Sequence, residues 1–275
     1  MSYATVLVHV QADPSAKHRL RVACDLAKRF DATILGVSVE MIRAAPFDDG
    51  FTSIDAQWYT AVRETALRNQ ETCRTLFDAA AACVSKGSVW VAGFDFPASA
   101  IARESSAADI IVTSKPPGGR HDVYMDAGAA ELALISGRPV LVAPPEGTLL
   151  AASRIVVAWK NVREARRAIS DAMPLLERAE RVLVLEVCTT EEAKEAAIRT
   201  NGVVAVLALH GVAAEGKVTV ARLSAGAEII HAAKMFGADL IVAGAYGHTR
   251  LGEWAFGGVT RELLEQERFH VLLSH

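Results

Sequence analysis

The chain contains one pattern twice. ADIIVTS (108–114) returns as ADLIVAG (238–244), 130 positions later, and GRPVLVAPP returns as ERFHVLLSH at 131. The first apolar run, VLVHV, finds its counterpart in IVVAW about 149 positions on. A period of this size is a duplicated domain, because solenoid repeats run to roughly 20–50 residues. The offset shrinks by about 18 residues between the second and fourth strands. The first copy therefore carries an insertion in MIRAAPFDDGFTSIDAQWY, in or before its long helix.

Within each copy, short β-branched runs alternate with helical patterns. Strands are predicted at 5–10, 32–39, 88–93, 108–114 and 139–144, then at 154–159, 181–187, 217–223, 238–244 and 270–274. Helices are predicted at 15–30, 55–84 and 97–106, then at 162–178, 191–199, 203–210, 227–236 and 259–267. Near-continuous apolar strands between helices indicate parallel sheets covered on both faces. The expected fold is α/β: two tandem, doubly wound, Rossmann-like domains with five-stranded parallel sheets, at 1–146 and 152–275. The connector PPEGTLLAAS (144–153) is short and bears Pro and Gly, so close packing of the halves is expected.

Composition excludes several classes of function. The 275 residues carry a net charge of −3, which gives no basic field to hold nucleic acid by its phosphates. No apolar run approaches the ~18 residues of a membrane span. The N-terminus enters a strand without a basic and apolar leader, so a soluble, cytoplasmic protein is expected. The four cysteines form no CxxC pair. Cys24, Cys73 and Cys83 fall in helical patterns, where free cysteine acts as a small core hydrophobe.

The segment ADLIVAGAYGHTRLGEWAFGGVTRELL (238–264) carries the chemistry. A buried strand ends in Gly244-x2-Gly247-x9-Gly257-Gly258, and a helix comes next. Glycines let the backbone approach a ligand closely, and the first amides of a helix have no partner within it. Strand end, glycines and helix start together would cradle a polyphosphate at the carboxyl end of a parallel sheet. The same spacing also fits a plain strand-to-helix turn. GxxxxGK[ST] is absent, as is GxGxxG after the first strand.

This loop, with GVT after it, resembles the ATP-binding loop of the universal stress protein family, G-x2-G-x9-G-[S/T]. AWKNVREARRAI (158–169) is similar to that family's first strand-to-helix junction, and ADIIV and ADLIV to its fourth strand. The resemblance covers the whole chain as two copies. It implies that Gly244, Gly247 and Gly257 wrap the ribose and phosphates, and that Gly258 stands where the family has Ser or Thr. Thr260 could supply the missing hydroxyl. Ala243 falls where a residue packs on the base, and Val187 where backbone atoms meet it. Asn161 matches the position of an Asp that holds adenine or ribose. Val259 comes just after the loop, and His248, Arg250 and Arg261 flank it as charges near phosphate or as solvated residues. Trp254 and Phe256 read as packing groups that pin the loop. The implied ligand is ATP or another adenine nucleotide, with or without Mg²⁺.

The first copy lacks this loop. Thr113 or Ser114 replaces the first glycine, and Pro116 and Pro117 stiffen the chain beyond it. Asp126 would repel phosphate while capping the next helix. Asp13 matches the family's acidic position, and Lys115 and Arg120 read as solvated. The first copy is thus expected to be structural or regulatory.

No GxSxG elbow or HExxH motif is present, and the eight histidines are scattered, so at most weak ATP hydrolysis is expected. The expected function is a stress-response protein with an adenine nucleotide as regulatory ligand in its C-terminal domain. The alternative is an interaction or dimerisation module of the same family that binds no nucleotide. Antiparallel pairing of PVLVAP with HVLLS would make an internal pseudo-dimer, with a homodimer as a further possibility. The inserted helix, with Phe47, Phe51, Trp58 and Tyr59, reads as a contact surface or as core packing.

Overall fold

The computed structural model describes residues 2–42, 56–115, 126–245 and 258–275. The first half runs β1 (Thr5–His9), α1 (Ala16–Phe30), β2 (Thr33–Glu40), α2 (Ala56–Ala81), β3 (Ser88–Phe94), α3 (Pro97–Glu104), β4 (Ile110–Ser114), α4 (Ala129–Ile135) and β5 (Val140–Ala143). The second half repeats it as β6 (Arg154–Trp159), α5 (Arg163–Leu176), β7 (Arg181–Cys188), α6 (Ala193–Leu209), β8 (Ala214–Val220), α7 (Ala225–Phe236), β9 (Leu240–Gly244), α8 (Gly258–Glu265) and β10 (His270–Ser274).

The ten described strands join one sheet in the order β3-β2-β1-β4-β5-β10-β9-β6-β7-β8. Within each half every pairing is parallel. The halves meet where β5 and β10 pair antiparallel, with Val142 opposite Val271 and Val140 opposite Leu273. Apolar side chains alternate to the two faces. One layer packs against α1, α2, α5 and α6 through residues such as Leu20, Phe77, Ala168 and Leu207. The other packs against α3, α4, α7 and α8 through Ile101, Leu132, Ile229 and Leu263. Both layers run through both halves, so burial on each face is continuous across the seam.

The repeated Ala-Asp dipeptide has a structural role. The Asp109 carboxylate accepts from the amides of Ala4 and Thr5, at 2.6 and 3.0 Å, at the start of β1. Asp239 does the same for Ser153 and Arg154 at the start of β6, at 2.8 and 3.4 Å. Each carboxylate satisfies amides that the sheet ladder leaves open.

The connector is built into the seam. Leu150 and Ala152 are buried, and Arg29 on α1 donates to the carbonyls of Leu150 and Ala151. Arg178 donates to the Arg29 carbonyl at 2.7 Å while its guanidinium lies 4.2 Å from the centre of the Phe30 ring. The Tyr3 hydroxyl reaches the Asp171 carbonyl at 2.7 Å. Lys115, expected on a solvated loop, is half-buried and donates to the carbonyl of Gln266 in the other half.

Three other expectations are corrected. The strand expected at 217–223 lies three residues earlier. The amides of Arg222 and Leu223 bond instead to Glu228 of α7, and Ser224 caps that helix through the Ala227 amide. The helical stretches 191–199 and 203–210 are one helix, α6, because Ala196, Thr200 and Leu207 hold a single buried stripe across Gly202. Cys83 is exposed beyond the end of α2, whereas Cys24 and Cys73 are buried as expected. Trp58 is half-buried and Tyr59 exposed; Phe47 and Phe51 lie outside the described residues. No described helix is long and apolar enough to cross a membrane.

Candidate functional site

Strand order reverses between β1 and β4, and again between β6 and β9. At such a reversal the flanking helices leave to opposite faces and open a crevice at the carboxyl ends of the strands. The two crevices occupy equivalent places. Val6 pairs with Ile110 as Ile155 pairs with Leu240. The buried Ala16, Arg19, Ala23 and Leu26 of α1 match Ala165, Ala168, Ala172 and Leu175 of α5, each 149 positions on.

In the second half the residues at the reversal are small. Ala158 sits opposite Ala243, Gly244 ends β9, and Ala168 lies beneath on α5. Ala158, Val187 and Val259 are half-buried at the margin of the layer that holds Ala243. Thr260, in the first turn of α8, is buried. Gly258 opens that helix, and a side chain there would project into open space. Gly244 is fixed by packing: an added Cβ would lie 2.6 Å from the Glu164 carbonyl carbon and 2.7 Å from the Ala165 amide nitrogen. The start of α5 therefore rests directly on the strand end. His275, at the end of the chain, lies beside the exit of β9, with Nδ1 2.9 Å from the Ala245 carbonyl.

Asn161 is exposed, and its side-chain oxygen accepts from Arg166 at 2.9 Å. The oxygen expected for a ribose or base is engaged by its own helix. Asn161 and Asp13, both assigned to the acidic position, are also one residue out of step: at the 149-residue offset, Asp13 corresponds to Val162. Arg261 is exposed and pairs with Glu265 one turn on, at 3.4 Å. Gly247, His248, Arg250 and Gly257, with Trp254 and Phe256, lie outside the described residues.

In the first half the same places are filled. Arg19 replaces Ala168, His9 replaces Ala158, and Thr113 and Ser114 replace Ala243 and Gly244. Arg19 is 2% exposed. Its Nε donates to the His9 carbonyl at 2.6 Å, one terminal nitrogen to Ser114 Oγ at 2.5 Å, and the other to Asp13 at 2.9 Å. Gln11 donates to Asp126 at 3.0 Å across the mouth. Asp126 thus does not cap α4, whose N-cap is Gly128. Burial, and then the Arg19 charge, drive the His9 imidazole down to about 3. Sequence reading missed this plug because Arg19 stands alone inside a helical pattern; aligning the halves at 149 would have set it against Ala168.

Among the described residues, no group of three or more His, Cys, Asp or Glu converges to hold a metal ion. In the second crevice Ala158 and Ala243 carry no side chain beyond Cβ, and Gly258 faces open space at the start of α8.

Two linked doubly wound α/β domains, one crevice plugged and one lined by small residues, define the class of protein. Residues 152–275 match the model of the Universal stress protein family. That match covers the second half of the chain; the first half repeats the same fold, as a tandem member of the family would. The fold is similar over nearly the whole length to a universal stress protein from Archaeoglobus fulgidus DSM 4304. That match has 16% identity, a TM-score of 0.71, and coverage of 98% of this chain and 97% of the other. A functionally unknown protein from Pseudomonas aeruginosa PAO1 is similar at 15% identity and a TM-score of 0.60, covering 99% of this chain and 92% of the other. No curated protein sequence matches.

Proposed function

We propose that the second half binds an adenine nucleotide, ATP or a close relative, in the crevice between β6 and β9. The nucleotide acts as a regulatory ligand of a stress protein in the cytoplasm and is not consumed as fuel. The observation that carries this reading is the contrast at the strand ends: on the α7 and α8 face Ala158 and Ala243 where the first half has His9 and Thr113, and on the α5 face Ala168 and Gly244 where it has Arg19 and Ser114. The base would lie against Ala243 and Val187, and the phosphates at the start of α8, where Gly258 is open and Thr260 supplies a hydroxyl. Gly247, Gly257, His248, Arg250 and Val259 complete the proposed loop.

The domains of this reading are 1–146 and 152–275, and the β5–β10 pairing supports an internal pseudo-dimer. That pairing occupies both terminal strands, so a homodimer would need another surface.

Mass spectrometry of small molecules released from freshly purified, denatured protein tests the proposal. About one adenine nucleotide per chain is expected, lost in Ala158→Tyr while the circular dichroism spectrum is kept. Gly244→Val is unsuitable, because its side chain would collide with the α5 backbone whether or not a ligand binds. No nucleotide on the purified chain, and no uptake of ATP at millimolar concentration, would replace this reading with the interaction module.

A further inference from the structure

We propose that β3 is a docking edge for a second copy of this chain, the two β3 strands pairing antiparallel about a two-fold axis at Val91. This surface is independent of the nucleotide reading.

The ten-stranded sheet ends in β3 on one side and in β8 on the other. An edge strand bonds to its neighbour through one row of backbone groups and turns the other row outward. On β3 the register decides which row is which. Ile34 lies opposite Ser88, and its amide donates to the Gly87 carbonyl at 3.2 Å. The same alternation carries on along a parallel ladder, so Val89, Val91 and Gly93 bond to β2. The amides and carbonyls of Ser88, Trp90, Ala92 and Phe94 face outward, and none of them meets a hydrogen-bond partner among the described residues. The strand reads SVWVAGF, without a charge or a proline to guard it. Val89 is 51% exposed and Phe94 39%. Trp90 is held on the α2 side by Phe77, with ring centres 5.2 Å apart. A row of open backbone groups on an apolar strand calls for another strand.

The strand suits a copy of itself. Outward residues must meet outward residues, which sets Trp90 opposite Ala92 of the second copy and Ser88 opposite its Phe94. Val91 then faces Val91 on the axis, and Val89 faces Gly93. Off the axis, each large side chain is set against a small one, and such facing pairs are what stabilise neighbouring strands. One step beyond the strand, Gly87 stands opposite Asp95, which brings Lys86 of one copy beside the Asp95 carboxylate of the other. Both of these side chains reach solvent. β8, the other edge, is protected against the same pairing. The Val182 amide donates to the Ala213 carbonyl at 2.9 Å, so Ala214, Gly216, Val218 and Val220 face outward there. Pairing β8 with itself would set Lys217 against Lys217 on the axis, and like charges directly opposite destabilise a strand pair. The sheet already holds one antiparallel joint of the kind proposed, at β5 and β10, where Val142 meets Val271.

Sedimentation velocity on the full chain over a concentration series tests the proposal. A reversible dimer with a micromolar dissociation constant is expected, because one strand edge makes a small interface. Nothing larger should form, since a two-fold pairing uses up both β3 edges. Ala92→Pro removes an amide that β2 does not use, and should give monomer while the circular dichroism spectrum is kept. Val91→Lys and Val91→Glu each set like charges on the axis and should each weaken the dimer at least about tenfold. Mixing the two variants should restore it. In a Cys83→Ser background, Val91→Cys should cross-link two copies on mild oxidation. Val91 faces its counterpart across a non-hydrogen-bonded pair, where Cα atoms approach to roughly 4.5 Å, within reach of a disulfide. Ala92→Cys, opposite Trp90, should not cross-link. The proposal is overturned if the chain stays monomeric up to about 1 mM. It is equally overturned if a dimer survives Ala92→Pro and both Val91 variants, or if the assembly keeps growing with concentration.

Discussion

The two halves share a scaffold and differ in what caps it. In both, five strands in one order place a crevice at the same reversal, and an Asp at the start of the fourth strand ties down the first. In the first half, Arg19 fills that crevice from below and is held by Asp13, Ser114 and the carbonyls of His9 and Gln11. In the second, alanines and a glycine line it, and α5 settles onto the strand end at Gly244. The fold therefore puts the same strand ends at the same reversal in both halves, while a few side chains decide what fills them.

The largest effect expected from breaking this contrast is at Arg19. Arg19→Ala makes the first half look like the second, but leaves Asp13 without its partner and the layer unfilled. A loss of about 3–5 kcal/mol is expected, read from urea unfolding. Any nucleotide bound by the folded variant should still be lost on adding Ala158→Tyr, since the proposed site lies in the other half.

Acid should act next. His9 and His270 are lowered by burial to about 3 and about 4 in the folded chain, against 6.5 for the free side chain. The unfolded chain takes up these protons first, so stability is full above pH ~6.5 and falls as pH drops toward the folded values. Each histidine should contribute a slope of up to about 1.4 kcal/mol per pH unit in that window. His9→Ala, which installs the residue of the second half, should remove roughly half of the combined slope when unfolding is compared at several pH values between 7 and 4. An unchanged slope would sink this assignment.

Gly244→Ala tests the packing of α5. The added methyl overlaps backbone that cannot swing aside, so a destabilisation of about 1–3 kcal/mol is expected in thermal unfolding, with or without nucleotide. A variant as stable as the wild type would show that α5 can withdraw from the strand end.

The smallest effects sharpen the ligand reading. Thr260→Val removes one hydroxyl at the start of α8 and should weaken ATP binding about tenfold by isothermal titration. Asn161→Ala should change affinity little, because its oxygen already accepts from Arg166. The reverse order of effects would restore Asn161 as the group that holds the base.

Much of the fold is legible in the sequence. The alternation of apolar strands and helices marks the elements, because burial on both faces leaves few polar residues in a strand. Local competition defeats it at β8, where Thr219, Val220 and Leu223 read as one strand but Glu228 draws the amides of Arg222 and Leu223 into the start of α7. Cys83 misleads for a similar reason: it continues a helical pattern that stops at Ala81. The candidate site is legible in its glycines, but the packing that demands Gly244 is not, since it comes from the backbone of α5, some eighty positions earlier in the chain.

By itself the sequence determined the duplication and the α/β class, because these depend on periodicity and on the reach of short loops. Tertiary structure decided what fills the first crevice and what holds the halves together. Those depend on contacts between residues far apart in the chain, such as Arg19 with Ser114 and Tyr3 with Asp171. No local pattern records such a meeting, since each partner keeps its ordinary place in its own strand, helix or turn until the sheet brings the two together.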